Sequence, residues 1–289
     1  MSVENFVFVF VAGLVTALAT GLGALPFFFV DDFSDRWNVA LWGVASGIMV
    51  SASLFGLVDE GLAYAADELP TLLIGGVIAG IVLVEASDRL LDGAEFGVAD
   101  DDGDVRLGQE GGNSERVLGA RAFAEGDLKK LVLILGILTV HSFPEGVAVG
   151  VSFAELGLDG GLRILGFSVP LLAVFMTVAI SIHNVPEGTA IAIPMRAMGL
   201  SNWRMVGAAV FSSLPQPIGA VIAFAFVTWA QAFLPFGFGF AAGAMVYLVV
   251  TEFIPEALET GAELPRGGRL ELVAGVAAGV AVMLPLLFI

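Results

Sequence analysis

The chain has 289 residues, of which 57% are hydrophobic, and a mean hydropathy of +0.93. That composition excludes an ordinary soluble domain and indicates an integral membrane protein. The chain contains no cysteine, so any metal would have to be held by nitrogen and oxygen ligands. The formal net charge of -17 is typical of adaptation to high salt, although an acidic surface that collects cations would also produce it.

Eight apolar segments follow one another along the chain. Each has about 20 residues or more, the length that crosses a hydrocarbon core of about 30 Å. The first lacks the basic start and cleavage site of a signal peptide, so we interpret it as a retained helix. The sequence predicts an all-α, polytopic membrane protein of one domain, 1–289, with eight transmembrane helices. The predicted spans are 5–30, 38–58, 71–91, 129–154, 167–195, 204–230, 237–258 and 269–289.

The basic residues predict the orientation of these helices. Eleven of the 12 lysines and arginines fall on loops that face one side, and only Arg163, between helices four and five, falls on the other. By the positive-inside rule, both termini lie outside. The polar stretch 92–128 is then cytoplasmic, and its acidic, glycine-rich composition predicts a disordered loop.

One hexapeptide pattern, His-x-x-Pro-Glu-Gly, occurs twice, at 141–146 and at 183–188, and it uses the only 2 histidines of the chain. Positions i and i+4 of a helix share a face, so each copy presents an imidazole and a carboxylate side by side, as ligands of a transition metal require. The proline should kink each helix, and the final glycine allows another helix or the ion to approach closely.

Both copies of the motif lie near the middle of their predicted helices. Helices four and five are antiparallel, so the duplication has the character of an inverted repeat with a site at the membrane midplane. At that depth Glu145 and Glu187 would each cost about 3 kcal/mol or more without a cation, a proton or a water-filled cavity. The alternative interpretation is a pair of buried His–Glu hydrogen bonds that lock two helices together.

Helices six and seven carry further polar residues inside the membrane. Gln216 stands between two prolines, and Glu252 lies at a similar predicted depth; we assign both to the site. For Ser212 and Ser213 we favour a structural role, in which their hydroxyls satisfy backbone groups near the proline break.

With these motifs the sequence resembles the ZIP (Zrt/Irt-like) family of divalent metal transporters. The stretches 19–26 in helix one and 46–49 in helix two support the resemblance. In that family helices four and five form a binuclear site. The resemblance implies that Asn184 belongs to the second metal, with the two glutamates bridging, and that the first metal is held by His141, Glu145, His183 and Glu187.

Two positions depart from the family pattern. Ser142 stands where the family usually has asparagine, and Gln216 stands where relatives with this helix-six pattern often have glutamate. Both changes remove ligand strength from the second metal position. The resemblance further implies a homodimer, and a sliding motion of the bundle that contains helices four and five against the remaining helices.

The predicted function is transport of a divalent metal, above all Zn²⁺, into the cytoplasm by a multi-pass protein of the cell membrane. Fe²⁺, Mn²⁺ and Cd²⁺ also suit imidazole and carboxylate ligands. We expect no nucleic-acid partner and no enzymatic activity. An intramembrane metalloenzyme remains an alternative, although the His-Glu-x-x-His order is absent. A proton-coupled transporter of an organic solute is another.

A gate is predicted on the outer side of the site. Met176 and Ile180 precede His183 by seven and three residues and share its helical face, and Met49 and Ala52 lie on helix two, which resembles the family's partner for this seal. Ordinary core packing is the alternative, since a Met–Ile stripe at helical spacing is usually core.

Overall fold

A computed structural model describes residues 2–30, 33–65, 70–93, 141–158 and 161–285. Within these ranges the chain is built from helices and one short β-hairpin. The first helices are α1 Val3–Leu22, α2 Asp35–Ser51, α3 Asp59–Ala65, α4 Thr71–Gly93 and α5, residues 141–152. The later ones are α6 Leu171–Ala197, α7 Asn202–Ser212, α8 Pro215–Trp229, α9 Leu234–Leu248, α10 Ile254–Thr260 and α11 Arg269–Met283.

Two of the long helices contain a stretch of π-helix. The segment Ala52–Val58 joins α2 to α3, and Val249–Phe253 joins α9 to α10, so each of these helices continues without a break. Helix six is divided instead, because Pro215 and Pro217 cannot donate backbone hydrogen bonds and a new helix, α8, begins at Pro215. By contrast, α6 continues past Pro186 and Pro194.

Six helical segments among the described residues are long and apolar enough to cross a membrane. They correspond to predicted helices one, two, three, five, six and seven: Val3–Leu22, Asp35–Tyr64, Thr71–Arg89, Leu171–Ala197, Asn202–Trp229 and Gln231–Thr260. This confirms an all-α, polytopic membrane protein. For predicted helix four, residues 129–140 lie outside the described part, as does most of the predicted acidic loop. The eighth, α11, has 15 residues, and the description ends at residue 285. The count of eight therefore stays a prediction.

The predicted start of helix five was wrong. Residues 167–169 form a strand, and α6 begins at Leu171, after Pro170. The strands β1 Leu162–Ile164 and β2 Phe167–Val169 pair antiparallel through a two-residue turn. Leu165 and Gly166 form that turn with φ of 49° and 89°, the left-handed conformation that a tight hairpin requires.

Glycines bring the outer pairs of helices into backbone contact. Gly43 and Gly47 of α2 lie against the backbone of α11 near Val276, and Gly76 and Gly80 of α4 lie against the backbone of α9. Small residues permit this approach, and within a membrane van der Waals contact is a main source of helix association. The glycines therefore pack α2 against α11 and α4 against α9.

The glycines that end the two motifs make the same kind of contact. Gly146 of α5 lies against the backbone of Gln216 in α8, and Gly188 of α6 lies against the backbone of Thr20 in α1. A Cβ atom at either glycine would overlap a carbonyl oxygen. The expectation that these glycines allow the approach of another helix is confirmed, and each motif is thereby fixed to a neighbouring helix.

Replacing Gly188 by alanine should lower the melting temperature of the protein, because the added methyl group overlaps the Thr20 carbonyl. We expect a loss of about 1 to 3 kcal/mol in the free energy of unfolding. Gly75→Ala is the matched control, since only the ring of Phe236 lies near its position, at 4.0 Å. Thermal unfolding in detergent measures both, and an unchanged melting temperature in Gly188→Ala would refute the tight contact.

Candidate metal site

Three buried side chains converge between α5 and α6. Ligand atoms of Glu145, His183 and Glu187 all lie within 4.8 Å of one another. His183 is fully buried, and Glu145 and Glu187 are 2% and 8% exposed. His183 Nε2 lies 3.2 Å from Glu145 Oε1. This cluster, termed here the ligand triad, offers one nitrogen and two carboxylates, a set that suits Zn²⁺ and leaves a coordination position open.

The i, i+4 spacing of the second motif explains two of the three members of the triad. His183 and Glu187 lie on one face of α6, as the sequence predicted, and α5 brings Glu145 to the same point. Carboxylates so close together in an apolar interior repel each other, and a cation removes that repulsion. The triad therefore has the geometry and the charge of a cation site.

His141 lies outside this triad. Its Nε2 atom contacts a carboxylate oxygen of Glu252, and the two side chains are 17% and 20% exposed. Since Glu252 belongs to the π-helical segment Val249–Phe253, this contact joins α5 to helix seven. The structure thus brings together His141 and Glu252, both predicted from the sequence as site residues. They meet outside the triad, one helical turn before Glu145.

Amide side chains line the other side of Glu145. Gln216 Nε2 donates to Glu145 Oε2 at 2.5 Å, and Asn184 Nδ2 donates to Gln216 Oε1 at 3.0 Å. Asn184 Nδ2 also donates to the backbone oxygen of Thr16 at 2.7 Å. Gln216 and Asn184 are both fully buried. The two residues that the resemblance assigns to a second metal form a hydrogen-bonded chain that ends on Glu145.

The buried hydroxyls around the break between α7 and α8 bond to the protein itself. Ser142 donates to the backbone oxygen of Ser212 at 3.1 Å, and Ser212 donates to that of Ala209 at 2.7 Å. The hydroxyls of Ser213 and Thr20 lie 2.7 Å apart. The carbonyl groups at the end of α7 lack partners within the helix, so Ser142 and Ser212 compensate for the break.

One aromatic contact at the site was not expected from the sequence. The rings of Phe253 and His183 stack, with centroids 5.4 Å apart and planes 14° apart, and the ring of Trp42 packs against Phe253 with centroids 5.0 Å apart. Within the π-helical segment, Glu252, which the sequence assigned to the site, contacts His141, and the next residue, Phe253, also faces the site. Glu256 of α10 is also buried, with 7% exposure.

The four residues assigned to the gate are all buried. Met49, Ala52 and Ile180 are 1% exposed, Met176 is 0% exposed, and all four belong to the main hydrophobic cluster. Helix two approaches α6 at this level, because Gly56 lies beside Phe175 and the sulfur atom of Met176. A seal and an ordinary core both require such burial, so the gate stays a prediction.

Long apolar helices around a buried cluster of nitrogen and oxygen ligands define a membrane protein that handles cations. Residues 99–287 match the family model described as the ZIP zinc transporter. The zinc transporter ZIPB of Bordetella bronchiseptica is 34% identical over 92% of this chain and 76% of its own length. The zinc transporter GufA of Myxococcus xanthus is 29% identical over 88% of this chain and 89% of its own. The chain belongs to the ZIP zinc transporter family.

A third relative is much longer than this chain. It is a protein of Arabidopsis thaliana, provisionally named as a zinc transporter, and it is 36% identical over 85% of this chain. The match spans 34% of the Arabidopsis protein. Together the comparisons confirm the family that the duplicated motif suggested.

Replacing His183 by alanine should weaken metal binding by about tenfold or more, because it removes the only nitrogen ligand of the triad. His141→Ala is the matched control: it removes the other histidine, which lies outside the triad, and should cost less affinity. Isothermal titration of the purified protein with Zn²⁺ measures both losses. Equal losses, or a larger loss in His141→Ala, would contradict the assignment of the triad.

Proposed function

We propose that this protein transports a divalent transition metal, with Zn²⁺ as its physiological cargo, across the cell membrane into the cytoplasm. The observation that carries the proposal is the ligand triad, a cluster of one imidazole and two carboxylates buried among apolar helices. Family membership supports it, since the named relatives are zinc transporters. Fe²⁺, Mn²⁺ and Cd²⁺ suit the same ligands, and ligand type alone does not choose among them.

The ion would bind Glu145, His183 and Glu187 and would pass on to the neighbouring pair. His141 is one helical turn before Glu145 and contacts Glu252, so that pair offers the next nitrogen and oxygen ligands. Three polar residues would fix the groups around the ion. Gln216 would hold the carboxylate of Glu145, and the backbone would be held by Asn184 at Thr16 and by Ser142 at Ser212. Both glutamates must be deprotonated to bind metal, so arrival and release of the ion would exchange protons.

The topology in this proposal has eight transmembrane helices arranged as an inverted repeat, with both termini outside. Met49, Ala52, Met176 and Ile180 would close the path on the outer side of the triad, since apolar side chains dewet a constriction. They lie in one buried cluster between helix two and α6, as both a seal and ordinary core packing require. We propose a homodimer as the assembled form, on the resemblance to the family alone.

Transport should depend on the charge of the triad. In sealed liposomes, Glu187→Gln should reduce Zn²⁺ uptake by about tenfold or more, since an amide binds the ion far less strongly than a carboxylate. Glu259→Gln, an exposed position at the end of α10, removes the same charge and should leave uptake unchanged. Uptake of an organic solute without metal would contradict the proposal, as would full Zn²⁺ uptake in Glu187→Gln.

The gate is tested by making its surface polar. Ile180→Ser should let water reach the site from outside while the melting temperature changes little, so a cysteine at Thr177 should react with an impermeant reagent more than about tenfold faster. The cysteine at Thr177 alone, in a chain that otherwise has no cysteine, is the control. A lower melting temperature without faster labelling would show that Ile180 only packs the core.

A further inference from the structure

The hydrogen-bond partners of Asn184 and Gln216 fix the orientation of their side-chain amide groups beside Glu145. Asn184 Nδ2 faces the backbone oxygen of Thr16, which can only accept a hydrogen bond. Gln216 Nε2 faces Glu145 Oε2, and an ionised carboxylate also only accepts. The contact between the amides, from Asn184 Nδ2 to Gln216 Oε1, agrees with both assignments. Nitrogen atoms, and not oxygen atoms, therefore point along this chain toward Glu145.

The two oxygens of Glu145 consequently serve different partners. Oε1 faces His183 Nε2 within the ligand triad, and Oε2 accepts from Gln216. In one common mode, a carboxylate bridges two cations by offering one oxygen to each of them. Here an N–H group stands where the second cation would be, and it supplies partial positive charge to that oxygen. Glu145 is left with one oxygen directed at an ion.

Among the residues that the structure describes, the groups around Oε2 offer a second cation few ligand atoms. Gln216 donates to Oε2, Asn184 Nδ2 donates to Gln216 Oε1 and to the backbone oxygen of Thr16, and the hydroxyl of Ser142 is directed to the backbone oxygen of Ser212. Asn184 Oδ1 is a buried acceptor without a hydrogen-bond partner among the described residues. A single amide oxygen is a weak ligand for a transition metal compared with imidazole or carboxylate.

We propose that this protein binds one divalent ion, not two, and that Gln216 determines this number by occupying Glu145 Oε2. The proposal rests on the proposed function, because the one ion is that of the ligand triad. Gln216 acts through Glu145 and does not itself touch the ion. A glutamate at position 216 would replace the N–H donor with an anionic oxygen, and with Asn184 Oδ1 and Glu145 Oε2 it would create a second oxygen site.

Counting bound ions tests the proposal. Purified protein is dialysed to equilibrium against Zn²⁺, and the metal per chain is measured for the wild type, Gln216→Glu, Gln231→Glu and His183→Ala. Gln231 is exposed near the start of helix seven, so Gln231→Glu adds the same charge away from the site. The metal bound by His183→Ala is subtracted from each of the other counts. After that subtraction we expect one ion per chain in the wild type, one in Gln231→Glu and two in Gln216→Glu.

Each other outcome has a distinct meaning. Two ions in the wild type beyond His183→Ala would overturn the proposal, and so would equal counts in Gln216→Glu and Gln231→Glu. No difference between the wild type and His183→Ala would contradict the ligand triad itself, and hence the proposed function, whatever Gln216 does. Should thermal unfolding show that Gln216→Glu is not folded, the wild-type count alone decides between one ion and two.

Discussion

The buried carboxylate of Glu145 constrains more of this structure than any other group. It lies in a nearly dry interior, where an uncompensated charge costs about 3 kcal/mol or more, and it must therefore find partners on both oxygens. His183 approaches one oxygen and Gln216 the other. These contacts join α5 to α6 and to α8, while Gly146, the next residue, brings the α8 backbone against α5. The position of the site and the packing of three helices thus depend on one side chain.

The sequence predicted the parts of the site that a regular helix determines. The i, i+4 spacing placed His183 and Glu187 on one face, and the glycines of the motifs predicted close helix contacts. It could not predict that Glu252 contacts His141 or that Phe253 stacks on His183, because a π-helical stretch changes which side chains face inward. The hairpin before α6 was missed for another reason: its turn uses Leu165 with positive φ, which is not a usual turn residue.

The two histidines occupy different surroundings despite their identical motifs. His183 is fully buried, with a carboxylate at 3.2 Å and an aromatic ring stacked on it, whereas His141 and its partner Glu252 are partly exposed. In the proposed function, the more exposed pair would exchange ions and water more readily, and the buried triad would hold an ion more tightly. A path along α5 would then have a strong position and a weaker one, an arrangement that allows release as well as binding.

The helices separate into two groups by the way they are joined. Backbone contacts at glycines and the amide chain from Thr16 to Glu145 connect α1, α5, α6 and α8, whereas α2 with α11 and α4 with α9 make their own glycine contacts. Between the groups lie the contact of His141 with Glu252, the stacking of Phe253 on His183, the hydrogen bond from Tyr64 to Glu155, and apolar packing of α6 on helix two. Apolar side chains slide past one another at less cost than directed hydrogen bonds, so a shift of one group would be opposed by the contacts of the two histidines and by the exposed hydrogen bond of Tyr64. If the ligand triad binds the ion as proposed, an arriving or departing metal ion would change the contacts of the two histidines, and the occupancy of the site would then be coupled to the relative position of the two groups of helices.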